Sequence, residues 1–440
     1  MVTVAIALAV ILVLMVVGLP MAFSFAVADV VMIVSLGLGF EFAIMAMFYQ
    51  LNAFVLMAIP FFILAGALMR QGGISERLIA FADSIVGRVK GGLGSVVVLS
   101  CMVFGAISGS SVSAVASIGS IMIPRMEEMG YPRRYTTALV SCSGLLGQLI
   151  PPSIPVIIYG VVTRTSIAAV FLATVIPGIL LGTAYSVINY FSCRKFPIVS
   201  LYAGQRFSTV DIAKQIGRTG YKAFFGLLMP VIILGGIYGG IFTPTEAAAV
   251  AVVYALPVGF FIYRGFGLRT FARTLVEVGT MCGSLLLIFA FVVVFSRILT
   301  MQQVPDMIVS FMWGVSENKY VLILLMNLFL IIVGMIMDDV TGTLLAAPLL
   351  MPLVLELGIH PVQFGAILAV NLGLGLMTPP VAANLWVGAR VGNLPVSDFM
   401  GPVLRFLLLA GLPVLLLTAY IPALSVTLPR LIMGAKVMRY

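Results

Sequence analysis

The sequence predicts an all-α polytopic membrane protein built from inverted structural repeats, each with a re-entrant helical hairpin and a broken transmembrane helix. Three observations carry that expectation. Of the 440 residues, 62% are apolar and 9% charged, with a mean hydropathy of +1.21; a soluble domain carries about a quarter charged residues. Residues 105–155 recur, at one fixed offset, over residues 337–383. Identities at that offset are Pro124/Pro352, Glu128/Glu356, Gly130/Gly358, Ala138/Ala366, Gly147/Gly375, Pro151/Pro379, Pro152/Pro380 and Gly160/Gly388. Finally, these matches fall mostly on helix-breaking prolines and glycines, whereas chance matches favour common apolar residues.

The same composition excludes other classes. Cys101, Cys142, Cys193 and Cys282 form no C-x-x-C pair and lie in, or at the end of, apolar runs; they read as small buried hydrophobes rather than ligands. The single histidine, His360, cannot by itself build a zinc site. The net charge of +9 sits in loops between apolar runs. That is the positive-inside signal and not a stripe for nucleic acid, which is not an expected partner; the lipid bilayer is. The amino terminus is apolar at once, with neither a basic n-region nor an A-x-A site, so the first span is expected to be retained.

A membrane-spanning helix needs about 20 apolar residues. Residues 1–17 and 21–40 are read as spans joined by a G-L-P turn, and a third span is expected over 51–69. Residues 73–92 are amphipathic, with Arg77, Arg88 and Lys90, and are expected to lie along the interface. Residues 93–104 are too short to cross. A polar tip at 108–113 follows, then a second short helix ending at Pro124. Basic residues flank this unit on both sides: Arg88 and Lys90 before it, Arg125, Arg133 and Arg134 after it. It is therefore expected to enter and leave from the cytoplasmic face as a hairpin. The span over 135–160 is interrupted by Q-L-I-P-P-S, where proline removes a backbone donor and clashes with the preceding turn. A span over 168–191, the longest polar loop (194–222), and spans over 223–241, 247–263 and 275–295 come next. A loop carrying Gln302, Gln303, Asp306 and Glu317 ends this half.

The second unit begins near Tyr320, has its tip at 338–343 and closes at Pro352; its broken helix covers 363–388 and is interrupted at M-T-P-P. Five expected crossings separate the hairpins, so the second should enter from the opposite face. Inverted, broken units of this kind form the cores of secondary transporters. A last span over 403–423 leads to a basic tail with Arg430, Lys436 and Arg439. This count places the tail outside, against the positive-inside rule. The expected organisation is scaffold helices over 1–72, an interfacial arm over 73–92 and a first core unit over 93–167. Scaffold helices with a cytoplasmic loop follow over 168–274, then a second arm over 275–319, a second core unit over 320–390, and a C-terminal scaffold helix with the tail over 391–440.

Polar groups in hydrocarbon are costly unless paired, so polar tips inside apolar units point to function. Na+ is a hard cation suited to neutral oxygens, and the ends of half-helices add their dipoles. One Na+ site is expected from Ser108, Gly109, Ser110, Ser111, Gln148 and Pro151, and a second from Asp338, Thr341, Gly342, Thr343, Thr378 and Pro379. Ser and Gly also serve close helix packing; it is the pairing of each tip with a later Pro-Pro break that favours ions. Elsewhere, Glu246 in T-P-T-E-A reads as a helix-start cap, and Arg297 as an anion contact or an interfacial anchor. Asp29 and Glu41 are charges in or near the second span, and Gly66, Gly72 and Gly73 read as packing and helix-stop residues.

Gly66-Ala67, G-A-I-S-G-S-S-x-S-A-V-A-S-I-G, P-R-M-x-x-x-G-Y, G-Q-L-I-P-P-S-I and G-I-F-T-P-T-E-A-A-A together resemble the large, DctM-type membrane subunit of TRAP (tripartite ATP-independent periplasmic) transporters. The resemblance spans essentially the whole chain. It implies an elevator-type fold like that of the wider ion-transporter superfamily. It also implies Na+-driven uptake of an organic acid, a carboxylate or sialic acid, across the cytoplasmic (inner) membrane of a bacterium or archaeon. Two protein partners are implied, a periplasmic substrate-binding protein and a small four-helix membrane subunit; the chain begins directly with the large-subunit pattern and so resembles the unfused form. Substrate contacts are expected at Ser111, Ser153, Asn371 and Asn384.

Two other readings compete. A carrier working alone within the same superfamily would share the hairpins, and uptake with and without an added binding protein separates the two. An intramembrane enzyme would use Asp338 and Asp339 as a carboxylate pair, but adjacent aspartates project differently from one backbone and no His base accompanies them. A channel is disfavoured, because inverted units do not form rings around a pore.

Overall fold

Glycine and proline punctuate the chain more sharply than apolar runs suggest. In the computed structural model, which describes residues 2–89, 91–198 and 209–434, helix α1 (Val2–Val16) ends before Gly18 at φ 93°, and α2 (Met21–Leu36) ends at Gly37 with φ 67°. The expected span over 21–40 therefore stops early, and α3 (Phe40–Leu51) forms a separate helix that packs on a later one. Its Glu41, Tyr49 and Gln50 interrupt the apolar run. A 3-10 turn leads into α4 (Ala58–Gln71), and Gly73 at φ 72° starts the amphipathic arm α5 (Ile74–Val86), whose Ile74, Leu78, Ile79 and Ala82 are buried. Lys90, Lys436 and Arg439 lie outside the described residues, as does part of the 194–222 loop.

The first hairpin is α6 (Gly92–Ser108) and α7 (Ser111–Glu128), so the turn itself is only Gly109 and Ser110. The rest of the expected tip is helical. The broken helix follows as α8 (Arg133–Ser143), α9 (Leu146–Leu149) and α10 (Ile154–Thr163), with a 42° bend between Arg133–Leu149 and Ile154–Thr163. Then come α11 (Ile167–Cys193), α12 (Thr209–Tyr238), α13 (Pro244–Pro257) and α14 (Leu268–Met301). Within the region expected as a second arm, the residues read as a polar loop form helix α15 (Val304–Val315): Pro305 and Asp306 suit a first helical turn, and Val309 and Met312 bury one face. The second hairpin is α16 (Lys319–Ile336) and α17 (Asp339–Glu356), and the second broken helix is α18 (Pro361–Gly375) and α19 (Ala383–Gly392). The chain closes with α20 (Val396–Phe406), which continues through a π-turn into α21 (Leu412–Tyr420), and α22 (Ala423–Met433). Among the described residues, 8 helices are long and apolar enough to cross a membrane, or up to 9 with the bent pair counted as one; no strand is present.

Four side-chain bonds define how the hairpins, broken helices and arms lie together. Arg133 Nε donates to the Gly392 carbonyl at 2.7 Å, and Tyr159 donates its hydroxyl proton to the Pro361 carbonyl at 2.6 Å. The start of each broken helix thus meets the end of the other, which makes them antiparallel. Each arm also ties down the outer end of one hairpin: Asp83 of α5 pairs with Arg125 of α7 at 2.7 Å, and Trp313 of α15 donates to the Glu356 carboxylate of α17 at 2.9 Å. Packing follows the same exchange, α7 against α19 and α10 against α17. Cysteines replacing Arg88 or Arg125 are expected to react with an impermeant thiol reagent from the cytoplasmic face only, and those replacing Lys319 or His360 from the other face only. The four native cysteines are buried and add little background. Reaction of both sets from one face contradicts the arrangement.

The span expected over 168–191, α11, packs chiefly on α6, α18 and α22. Its Gly178 and Gly182 face Leu149, Ile150 and Met102, so small residues admit the hairpin and the break. A helix apolar all round gives no sign of which neighbours it takes. The remaining helices form a second group, with α4 on α13 and α14, and α14 on α2 and α3. The groups meet where α4 touches α6 and α14 touches α17.

Candidate functional site

Each hairpin is locked to its own broken helix by paired glycines. A Cβ on Gly105 of α6 would lie 2.3 Å from Gly147 Cα, and one on Gly375 of α18 would lie 2.3 Å from the Gly334 carbonyl carbon of α16. Only glycine permits backbones to come this close. The contacts bring each tip against a Pro-Pro break.

At the first junction, Gly109 adopts φ 63° and its N–H closes α6 on the Gly105 carbonyl at 2.8 Å. Ser110 caps α7, its Oγ accepting from the Ser113 N–H at 3.3 Å. The Ile154 N–H, just past the break, reaches the Gly109 carbonyl at 3.4 Å. A Cβ on Gly109 would lie 2.9 Å from the Pro152 carbonyl oxygen, so tip and break share one small space. Pro151 and Pro152 are buried and joined by a cis bond. Having no N–H, they leave the Gly147 and Gln148 carbonyls without the donors of an unbroken helix. Ser108, Ser111 and Ser153 are buried here, and the Oγ atoms of Ser108 and Ser153 have no hydrogen-bond partner.

The second junction is built differently. Asp338 caps α17 by accepting from the Thr341 N–H at 2.7 Å, while Asp339 accepts from the adjacent Val340 N–H at 3.0 Å. The neighbouring carboxylates thus serve the start of α17 rather than facing each other as a pair. The Val381 N–H bonds the Met335 carbonyl of α16 at 3.0 Å, fastening the break to the hairpin. The Gly375 and Leu376 carbonyls are taken by the N–H groups of Thr378 (2.9 Å) and Asn384 (3.2 Å). Pro379 and Pro380 are exposed, unlike their counterparts. Thr378 and Thr343 direct their hydroxyls to the Leu374 and Asp339 carbonyls, and Gly342 is covered by the Leu372 side chain. Thr341 Oγ1 and both amide atoms of Asn384 are buried without partners.

Gln148 does not turn to its tip. Its Nε2 donates to the Ala369 carbonyl of α18 at 3.3 Å, linking the two broken helices at the centre of the protein. Asn371 donates to Asn327 Oδ1 of α16 at 2.7 Å and to the Ile367 carbonyl at 3.1 Å. Asn327 was missed in the sequence although a lone amide in L-L-M-N-L-F-L signals a buried bond. Glu246 forms a capping box with Thr243, as its motif suggests. Arg297 borders a separate cavity between α14 and α17, and Asp29, buried in α2, packs among α1, α2 and α14 away from both junctions.

Buried oxygens without partners therefore lie at both junctions, Ser108 Oγ and Ser153 Oγ at the first and Thr341 Oγ1 and Asn384 Oδ1 at the second; Gln148 Oε1 and Asn371 Oδ1, on the broken helices, also lack partners. Leaving such atoms bare in a low-dielectric interior is costly. All are neutral hard donors, a set that fits Na+ and not a soft metal. Among the described residues no group of His, Cys, Asp and Glu is placed to hold a metal.

The profile described as "Tripartite ATP-independent periplasmic transporter, DctM component" matches residues 8–424. The chain is 41% identical to the C4-dicarboxylate TRAP transporter large permease protein of Pseudomonas aeruginosa, over 87% of this chain and 88% of that one. It is 38% identical to the sialic acid TRAP transporter large permease protein of Vibrio cholerae, over 89% and 90%. It is also 38% identical to the isethionate TRAP transporter permease protein of Oleidesulfovibrio alaskensis, covering 86% of this chain but only 58% of that relative. In fold it is similar to the Alcanivorax borkumensis YdaH transporter, whose crystal structure is described as revealing an unusual topology, with a TM-score of 0.59 at 14% identity over 84% and 85% of the two chains.

Proposed function

The chain belongs to the DctM family of tripartite ATP-independent periplasmic transporters, as a large permease component, and on that premise we propose that it imports an organic acid together with Na+. The observation that carries the coupling is the set of partnerless neutral oxygens at the junctions of the hairpin tips and the Pro-Pro breaks. The first junction is the stronger ion site, since its prolines are buried and its break carbonyls lack helical donors. The second junction adds Asp338, Thr341 and Thr378, with more of its carbonyls already occupied. Relatives are named for a C4-dicarboxylate, sialic acid and isethionate, which share an anionic group; that is the substrate class proposed here. Ser111, Ser153, Asn371 and Asn384 are the substrate contacts proposed beside the ions.

The hairpins, broken helices and α11 form the unit that moves, sliding as an elevator against α1–α4 and α12–α14. The seam is thin at Gly66, where a Cβ would lie 2.9 Å from Ser108 Cα. A small four-helix subunit in the cytoplasmic membrane and a periplasmic binding protein complete the proposed assembly. Co-reconstituted with both partners, the chain is expected to drive uptake of succinate, N-acetylneuraminate or isethionate in Na+ and to lose it when choline or K+ replaces Na+. Equal uptake in choline defeats the coupling. Equal uptake without the binding protein makes the chain a carrier that works alone.

A further inference from the structure

Beside the first tip lies a cavity of about 100 Å³, walled by α4, the hairpin and α14, large enough for a small polar group and water. Three serines of the tip, Ser108, Ser110 and Ser113, line it together with Arg70 from the last turn of α4 and Glu277 of α14. Ser108 is 5% exposed and its Oγ has no partner. The α7 helix also begins here, and its positive dipole end favours an anion. Glu277, the one carboxylate among the lining residues, is bound by Arg273 at 3.0 Å. Among the described residues Arg70 makes no ion pair. The cavity therefore combines an exposed guanidinium with no ion pair, the buried hydroxyl of Ser108, the half-buried ones of Ser110 and Ser113, and a helix start, and its balance is positive.

Its place in the fold is equally definite. Arg70 is followed, after Gln71, by Gly72, which lies against Gly265 at the approach to α14, and then by arm α5, whose Asp83 holds Arg125. That end carries the basic flanks of the first hairpin and is the cytoplasmic one. We propose that Arg70 is a specificity-determining contact for the substrate, binding its carboxylate or sulfonate from the scaffold side while the first tip faces the cytoplasm. The guanidinium fork engages two oxygens of the anion, and the tip serines donate to the remainder. The moving unit then carries the hydroxyls, and the fixed one carries the charge. Movement of the tip away from α4 separates the two halves of the site, which makes the contact specific to one state. This rests on the organic-acid reading above.

The test is equilibrium binding of labelled succinate, N-acetylneuraminate and isethionate to the purified chain with its small membrane subunit, in saturating Na+. For whichever probe binds the unsubstituted protein, Arg70→Gln is expected to raise Kd about tenfold or more, as loss of a charge-assisted bidentate contact does. Arg70→Lys, which keeps the charge but not the fork, should fall between. Glu277→Gln should leave Kd unchanged or lower it, and the Na+ concentration that half-saturates thermal stabilisation should not move in any variant. Where Arg70→Gln does not insert, Arg70→Lys carries the same comparison. An unchanged Kd in the Arg70 variants overturns the proposal. Equal weakening by Arg70→Gln and Glu277→Gln also overturns it, since the arginine then acts as a latch to Glu277. Failure of all three probes on the unsubstituted protein overturns the organic-acid reading itself, and this contact with it.

Discussion

Alanine at both Pro151 and Pro152 is expected to slow uptake at least tenfold and to raise the Na+ concentration for half-maximal rate, whereas the same change at Pro379 and Pro380 costs far less. The two sites look equivalent in sequence, but their surroundings differ. At the first break the prolines are buried, a Cβ on Gly109 would lie 2.9 Å from the Pro152 carbonyl oxygen, and no helical N–H can reach the Gly147 and Gln148 carbonyls. Alanine returns two donors, each removing a proline that costs about 3 kcal/mol in a helix interior. The helix can then straighten through its 42° bend and withdraw its carbonyls from the tip. Displacing a site by about 1 Å is enough to cost a hundredfold in rate. At the second break the Gly375 and Leu376 carbonyls already have partners, Thr378 and Asn384, and the prolines are exposed, so fewer free oxygens are lost. Rates in proteoliposomes at graded Na+ check this, with thermal unfolding to show that neither variant is destabilised. Equal loss at both breaks, or none at the first, would remove the carbonyls as Na+ ligands.

How much of this was legible in the sequence depended on which signal carried it. Pro and Gly act on the backbone whatever surrounds them, so both hairpins, both breaks and the Thr243–Glu246 cap could be read from residue types and spacing. Helix ends were read less well. Gly37 in a left-handed conformation ended one expected span early, with α3 following beyond it, and the polar residues at 302–306 hid the helix that begins at Val304 within the region expected as a second arm. Side-chain direction was not legible at all. Gln148 sits beside the break in sequence, yet it reaches across to Ala369, and Asp338 spends its carboxylate on the start of α17. Arg70, one turn beyond the packing glycine Gly66, carried no motif; only the cavity that it shares with the serines of the first hairpin tip marks it.

The glycine locks have the largest expected effect of all. Gly105→Ala or Gly375→Ala should abolish uptake, with a loss of a hundredfold or more, while Gly235→Ala in α12 leaves it unchanged. At Gly105 the added methyl would meet Gly147 Cα at 2.3 Å, and at Gly375 it would meet the Gly334 carbonyl carbon at 2.3 Å. Both obstacles are backbone, which cannot rotate aside as a side chain can. The helices must move apart, at an overpacking cost of about 1–3 kcal/mol, and the tip moves with them. A shift of about 1 Å between tip and break then costs roughly a hundredfold in rate, more than the stability term alone predicts. Gly235 has open space around it, so alanine there only adds helix propensity, worth roughly 1 kcal/mol. The three variants separate two effects of the same methyl group. If Gly105→Ala inserts, unfolds at the wild-type temperature and transports normally, the hairpin and break are not in the contact described, and the ion site at their junction fails with it.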